Sequence, residues 1–149
     1  MSTEKHTIFF TFLSTSHLIK IDTSTDTEVD VNGAVDGKGF ALGVKNAGDL
    51  ELLGSNIYIA GKGRYTDIYA TPPRPAELTG GIEKVDISGA TFTSTLLVDD
   101  DTVGAQITSL EVLDATTAYL VVYNAREDSD LMKLDLSTGV VSAQPLTRY

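Results

Sequence analysis

Residues 18–24 read Leu18-Ile19-Lys20-Ile21-Asp22-Thr23-Ser24, and the chain repeats this phrase twice more. The later copies are IEKVDIS at residues 82–88 and LMKLDLS at residues 131–137. An apolar residue, a lysine, an apolar residue, an aspartate and a serine recur at matching positions, so one supersecondary unit has been copied along the chain. Because the pattern alternates with a period of two, each copy is predicted to be a β-strand.

The spacing of the phrase predicts the size of the repeated unit. Lys84 and Lys133 are 49 residues apart, whereas Lys20 and Lys84 are 64 apart. Residues 64–80, RYTDIYATPPRPAELTG, account for the excess of 15 because they interrupt the strand pattern with three prolines. Without this insertion both intervals are close to 49 residues, which is typical of one four-stranded propeller blade.

The predicted fold is therefore all-β: a partial β-propeller of about three four-stranded antiparallel blades, in a single domain over residues 1–149. The copies cover approximately residues 1–35, 40–100 and 104–149, and a β-sandwich or barrel is the alternative. No innermost strand is visible in the first copy. From inner to outer, the predicted strands are 7–13, 18–22 and 27–31 in the first copy; 49–53, 57–61, 82–87 and 91–98 in the second; and 107–113, 118–123, 131–136 and 140–146 in the third.

Three blades are too few for a closed propeller, since each blade buries its faces only against its neighbours. An open arc of three leaves one apolar face uncovered at each end. Two copies joined end to end would close a ring of six, so a homo-oligomer through the terminal blade faces is expected. The alternatives are a piece of a longer protein or a different small β fold.

Composition excludes several classes of function. The 149 residues carry a net charge of −10, which repels nucleic acid and anionic membranes. The chain has no cysteine, so disulfides, thiol catalysis and cysteine-ligated zinc are excluded.

The apolar residues 8–13 are too few for a membrane span or a signal peptide. The compartment stays open: intracellular, or secreted or in the cell envelope if a leader was removed.

Two stretches carry a resemblance to a known family. KVDISG at residues 84–89 and KLDLSTG at residues 133–139, each followed by a β-rich run, resemble bacterial YVTN-type propeller repeats. Residues 81–124 are also similar to secreted or lipoprotein-type propellers of unassigned function. The resemblance implies a propeller fold and brings no catalytic or cofactor residues with it.

No cofactor is predicted, and calcium is the one metal considered. Asp99, Asp100 and Asp101 form an oxygen-rich turn, but consecutive aspartates point in different directions and need ligands from elsewhere. The run Asp22, Asp26, Glu28 and Asp30 has only loose calcium-loop spacing and is an ordinary solvated face. His6 and His17 lie too far apart in the predicted hairpin to share a metal, about 20 Å at 3.3 Å per residue.

The insertion is the most specific candidate site. Loops of this length in compact domains are often functional, and tyrosine and arginine are frequent interface anchors. The alternative is a surface excursion without a role. In an up-and-down blade, the second-to-third and fourth-to-first connections emerge at the same end, so the insertion is predicted to lie near residues 32–39, 98–104 and 124–130. The candidate ligand- or partner-binding residues are Arg64, Tyr65, Asp67, Tyr69, Arg74, Asp99, Asp100, Asp101, Arg126 and Asp128.

The sequence thus predicts a non-catalytic binding or scaffolding module that contacts an unknown protein or small ligand through the loop face carrying the insertion. No nucleic acid and no membrane insertion are expected. The alternative function is part of a propeller enzyme, a hydrolase or oxidoreductase, completed by a partner chain or by missing blades. A sugar-binding lectin fits less well, because the chain has no tryptophan to stack on sugars.

Overall fold

The computed structural model describes residues 7–11, 16–33, 39–64, 69–73, 75, 77–123, 129–142 and 146–148. The described residues form three antiparallel β-sheets and one four-residue helix, α1 (Asp100–Val103). The fold is all-β, as predicted. Within the described residues, no helix has the length and apolarity required to span a membrane.

The first sheet contains β1 (Thr7–Thr11), β2 (His17–Asp22), β3 (Thr27–Val29) and β4 (Phe40–Ala41). β1 pairs with one side of β2, while β3 and β4 pair with successive parts of its other side. These four strands therefore fill three positions. The β1–β2 hairpin was predicted, whereas β4 was not, and it extends the first sheet to Ala41.

The second sheet has the order β5-β6-β7-β8, and the insertion lies between β6 and β7. Its strands match the four predicted for the second copy to within two residues. They are β5 (Ala47–Leu53), β6 (Asn56–Gly61), β7 (Gly81–Asp86) and β8 (Thr93–Asp99).

The third sheet repeats this order. Its outer position is shared by two short strands that pair with different parts of β11, where a single strand was predicted. Its strands are β9 (Gln106–Val112), β10 (Thr117–Tyr123), β11 (Ser129–Asp135), β12 (Val140–Val141) and β13 (Thr147–Arg148).

The three sheets stack face to face, and the second lies between the other two. Strand alternation sends Ile57 and Ile59 of β6 into a core cluster shared with Leu18 of the first sheet. Tyr58 and Ala60, on the other face of β6, join a second cluster with the third sheet, which includes Leu120. The nearly continuous apolar character of β6 follows from this burial on both faces.

The aspartate of the repeated phrase ends its strand in the same way in every copy. Asp22 Oδ1 accepts the Ser24 N–H at 2.8 Å, and Asp135 Oδ1 accepts the Ser137 N–H at 2.8 Å. In the second copy, the Ser88 N–H donates to Asp86 Oδ1 at 2.8 Å. Each carboxylate closes a tight turn onto the outer strand, which explains why Asp-x-Ser recurs with the strand.

Candidate functional site

The base of the insertion extends the β6–β7 hairpin. Arg64 and Glu77 face each other as an antiparallel pair: the Arg64 N–H donates to Glu77 O at 3.1 Å, and the Glu77 N–H to Arg64 O at 2.9 Å. Their side chains form an ion pair. The insertion therefore leaves the second sheet through a hydrogen-bonded neck formed by Arg64 and Glu77.

The loop between β4 and β5 packs against this neck. The Lys45 N–H donates to Thr79 O at 3.0 Å, and the Gly63 N–H donates to Lys45 O at 3.0 Å. The Asn46 side-chain amide also donates to Gly63 O. The connection from the first sheet to the second is thus hydrogen-bonded to both sides of the base of the insertion, at Gly63 and at Thr79.

Glu83 fixes the same loop from the second sheet. Its side chain is 3% exposed, and Oε2 accepts the N–H groups of Gly43 at 2.8 Å and Val44 at 3.1 Å. Two N–H donors on one carboxylate oxygen hold the loop in a defined conformation. Ile19 and Met132 occupy the matching position in the other copies, so an acid at an apolar position of the repeat was the sequence signal for this residue.

The three consecutive aspartates have different roles. Asp99 caps α1, with Oδ1 accepting the Asp101 N–H at 3.0 Å. Asp100 is fully buried, and its Oδ2 accepts the Gly80 N–H at 3.0 Å. Asp101 is exposed. The three carboxylates therefore make different contacts. The described residues contain no group of three or more histidines or carboxylates placed to hold a metal.

Burial raises the pKa of the Asp100 carboxyl above its usual range, and the neighbouring charges of Asp99 and Asp101 raise it further. The Gly80 N–H opposes this rise, because it stabilises the carboxylate. Oδ1 has no hydrogen-bond partner within the described ranges. Asp100 ties the end of the insertion to the β8–β9 connection, which was one of the predicted juxtapositions.

These segments enclose a cleft of about 530 Å³ at the insertion end of the second sheet. Its charged lining consists of three carboxylates and one lysine. The cleft is lined by Ala41, Gly43, Val44, Lys45, Leu78, Thr79, Gly80, Glu83, Ser94, Leu96, Asp99 and Asp101.

The structure brings together some of the predicted site residues. Asp99 and Asp101 line the cleft, Asp100 lies behind it, and Arg64 stands at the neck, where its carbonyl accepts from the Gln106 side chain at 3.3 Å. Tyr69 lies further out on the insertion and is 91% exposed. Five predicted residues lie outside the described ranges: Tyr65, Asp67, Arg74, Arg126 and Asp128.

Sequence reasoning missed the wall formed by residues 43–45. Residues 32–39 were predicted to connect the first sheet to the second beside the insertion, and residues 34–38 of this range lie outside the described part. In the structure, β4 continues the outer strand of the first sheet through Ala41. The connection beside the insertion is therefore residues 42–46. Only two residues of β4 pair with β2, which is too short a strand to leave a pattern in the sequence.

No protein-family model matches the chain, and no curated protein sequence matches it significantly.

Proposed function

We propose that this chain is a non-catalytic binding or scaffolding module built from consecutive propeller blades, and that it binds its ligand in the cleft beside the insertion. The stacked sheets support the blade arrangement. Asp49 of β5 accepts hydrogen bonds from Ser109 and Leu110 of β9, so the inner strands of two successive sheets lie side by side, as around a propeller hub.

The observation that carries the binding role is the way in which the cleft walls are fixed. Glu83 and Asp100 are buried carboxyl groups whose hydrogen bonds go to backbone N–H groups of Gly43, Val44 and Gly80. Burying carboxyl groups is costly unless they are hydrogen-bonded, so their use here holds the loops in one shape. A pre-formed concave surface binds without the entropy cost of ordering its walls.

The charge of the cleft indicates the ligand chemistry. Glu83, Asp99 and Asp101 line it together with Lys45, so carboxylates outnumber the cation by three to one. The chain as a whole carries −10, which adds a long-range attraction for cations. A small molecule or peptide bearing a guanidinium or ammonium group is the class that fits these walls.

The insertion supplies an adjoining contact surface. Tyr69 is 91% exposed, and residues 71–73 and 75 beside it are also exposed. Tyrosine on a proline-rich loop buries a large area at low entropy cost when a partner covers it.

A thermal-shift titration with arginine ethyl ester, spermidine and an Arg-Gly-Arg peptide would test the cleft. Binding raises the melting temperature of the full chain, and Asp101→Asn reduces the rise because it removes one carboxylate. Glu111→Gln is the matched control, since Glu111 is exposed on β9 outside the cleft lining. Equal shifts in both variants, or no shift with any of the three probes, would refute the cationic-ligand assignment.

A second variant would test the insertion. Arg64 and Glu77 exchange two backbone hydrogen bonds, and a two-residue Asn-Gly turn closes such a pair. Replacing residues 65–76 with Asn-Gly would therefore keep the neck while removing the outer loop. If the peptide probe binds this variant as tightly as the full chain, the insertion has no part in recognition.

A further inference from the structure

Among the described residues, no further sheet packs on the outer face of the first sheet or of the third. On the first sheet, strand alternation places Ile8, Phe10, Ile19 and Ile21 on the face turned away from the second sheet, and none of them belongs to either core cluster. Ile8 is 54% exposed. An apolar face of this kind marks an interaction surface.

The internal repeat identifies what this face is built to contact. Ile8 pairs with Ile21, Ile57 with Val85, and Ala118 with Leu134. Ile21, Val85 and Leu134 are the fourth residue of the repeated phrase in each copy, so Ile8, Ile57 and Ala118 occupy equivalent positions in the three sheets. The matching residues of the second and third sheets are fully buried against the sheet that precedes each in the chain: Ile57, Ile59 and Val85 in the second, and Ala118, Leu120 and Leu134 in the third.

The uncovered face of the third sheet is equivalent to the face through which the second sheet contacts the third. Tyr119, Val121, Leu131 and Lys133 lie on the face turned away from the second sheet. The equivalent residues of the second sheet are Tyr58, Ala60, Ile82 and Lys84. The first three are buried in the core cluster shared with the third sheet. The two open faces are therefore the two halves of a junction that the chain already makes twice within itself.

We infer that a second copy of this chain docks head to tail, so that the first sheet of each copy covers the third sheet of the other. The two identical junctions close a ring of six sheets, within the range of four to eight blades seen in propellers. This inference rests on the blade arrangement proposed above, and it is independent of what the cleft binds. A head-to-tail junction that did not close would instead produce filaments.

Sedimentation velocity of the full chain over a range of micromolar concentrations would test the inference. A species of twice 15.9 kDa is expected. Ile8→Lys blocks the first-sheet face and Val121→Lys the third-sheet face; each alone should be monomeric, with the dimer dissociation constant raised more than about tenfold because a lysine is buried unpaired. Leu52→Lys is the control, since Leu52 is 55% exposed on the middle sheet, and it should leave the dimer intact.

Mixing the two blocked variants decides the geometry. The intact third-sheet face of Ile8→Lys and the intact first-sheet face of Val121→Lys can form one junction, so the mixture should recover a dimer that neither variant forms alone. Circular dichroism checks that both variants are folded. A monomer throughout, a filament, or a Val121→Lys variant that dimerises alone would overturn the inference. A monomer that still binds a cationic probe would leave the proposed binding role intact.

Discussion

Ser109 Oγ donates a hydrogen bond to Asp49 Oδ2 at 2.6 Å, joining the inner strands of the second and third sheets. The same oxygen accepts the Leu110 N–H at 2.9 Å, and Oδ1 accepts the N–H of Leu50 at 3.0 Å. A single side chain thus satisfies donors on two sheets.

Replacing Asp49 tests this junction. Asp49→Ala leaves Ser109 and the Leu110 N–H without their acceptor, and we expect a loss of about 1–3 kcal/mol in the free energy of unfolding. Ser109→Ala removes only one donor and should cost about 0.5–1.5 kcal/mol. Urea denaturation measures both values. Equal costs for the two variants would contradict the role of Asp49 as the shared acceptor.

The buried Asp100 gives a pH-dependent prediction. Because burial raises its pKa in the folded protein, the folded state holds its proton at a pH where the unfolded chain has lost it. Stability from this group is therefore greatest at acid pH and falls as the pH rises from about 4 through the folded pKa. Asp100→Asn keeps an acceptor for the Gly80 N–H and cannot ionise, so its unfolding free energy should decline less over this range.

Glu51 provides the comparison for that experiment. Burial raises its pKa, and the charges of Glu111 and Asp49 raise it further, so Glu51 contributes a slope of the same sign. Glu51→Gln should flatten the pH profile independently of Asp100→Asn, and the double variant should flatten it most. A profile in Asp100→Asn identical to that of the natural sequence would show that Asp100 ionises normally when folded.

The repeated phrase predicted most of the strands and their order in each sheet. It predicted the strands β2, β7 and β11, and the period of 49 residues predicted the order of strands around each of them. The alternating pattern could do this because cross-strand pairing depends on side-chain period and turn chemistry, both of which are local. β4 and α1 were not predicted, since two paired residues and a single helical turn leave no periodic signal.

The site was harder to predict than the sheets. Asp99 to Asp101 were selected as a cluster, but the separate role of Asp100 depends on its hydrogen bond with Gly80, which is distant in sequence. Glu83 could have been found, because it replaces an apolar residue of the repeat. Lys45 could not, since its place in the cleft depends on where β4 ends.

Two glycines with positive φ give a matched pair of substitutions. Gly139 has φ +73°, and an added Cβ would lie 2.3 Å from the carbonyl oxygen of Leu97 on the neighbouring sheet, whereas Gly54, at φ +60°, has open space around it. Gly54→Ala should cost about 1–2 kcal/mol from backbone conformation alone. Gly139→Ala should cost more in thermal or urea unfolding, since the turn must also move away from Leu97. Similar costs would show that the third sheet is not packed on the second at this turn.

Two turn aspartates of the repeat, Asp86 and Asp135, should titrate below the usual range. The Ser137 hydroxyl donates to Asp135 Oδ1 at 2.6 Å and its N–H donates at 2.8 Å, and these two bonds lower the pKa of the carboxyl. Ser137→Ala removes the hydroxyl bond, so the pKa of Asp135, followed by the NMR shift of its side-chain carbon, should rise toward the ordinary value. Asp86 in the same variant is the internal control, because its low pKa depends on Ser88.

The sign of the linked stability change is opposite to that of Asp100. A lowered pKa means that the unfolded chain takes up the proton first, so the stability from Asp135 is present above the ordinary aspartate pKa and is lost as the pH falls through the folded value. Ser137→Ala should therefore lose less stability on acidification than the natural sequence does. An unchanged Asp135 titration in this variant would show that the Ser137 hydroxyl does not close the turn. Serine would then recur in the repeated phrase for another reason.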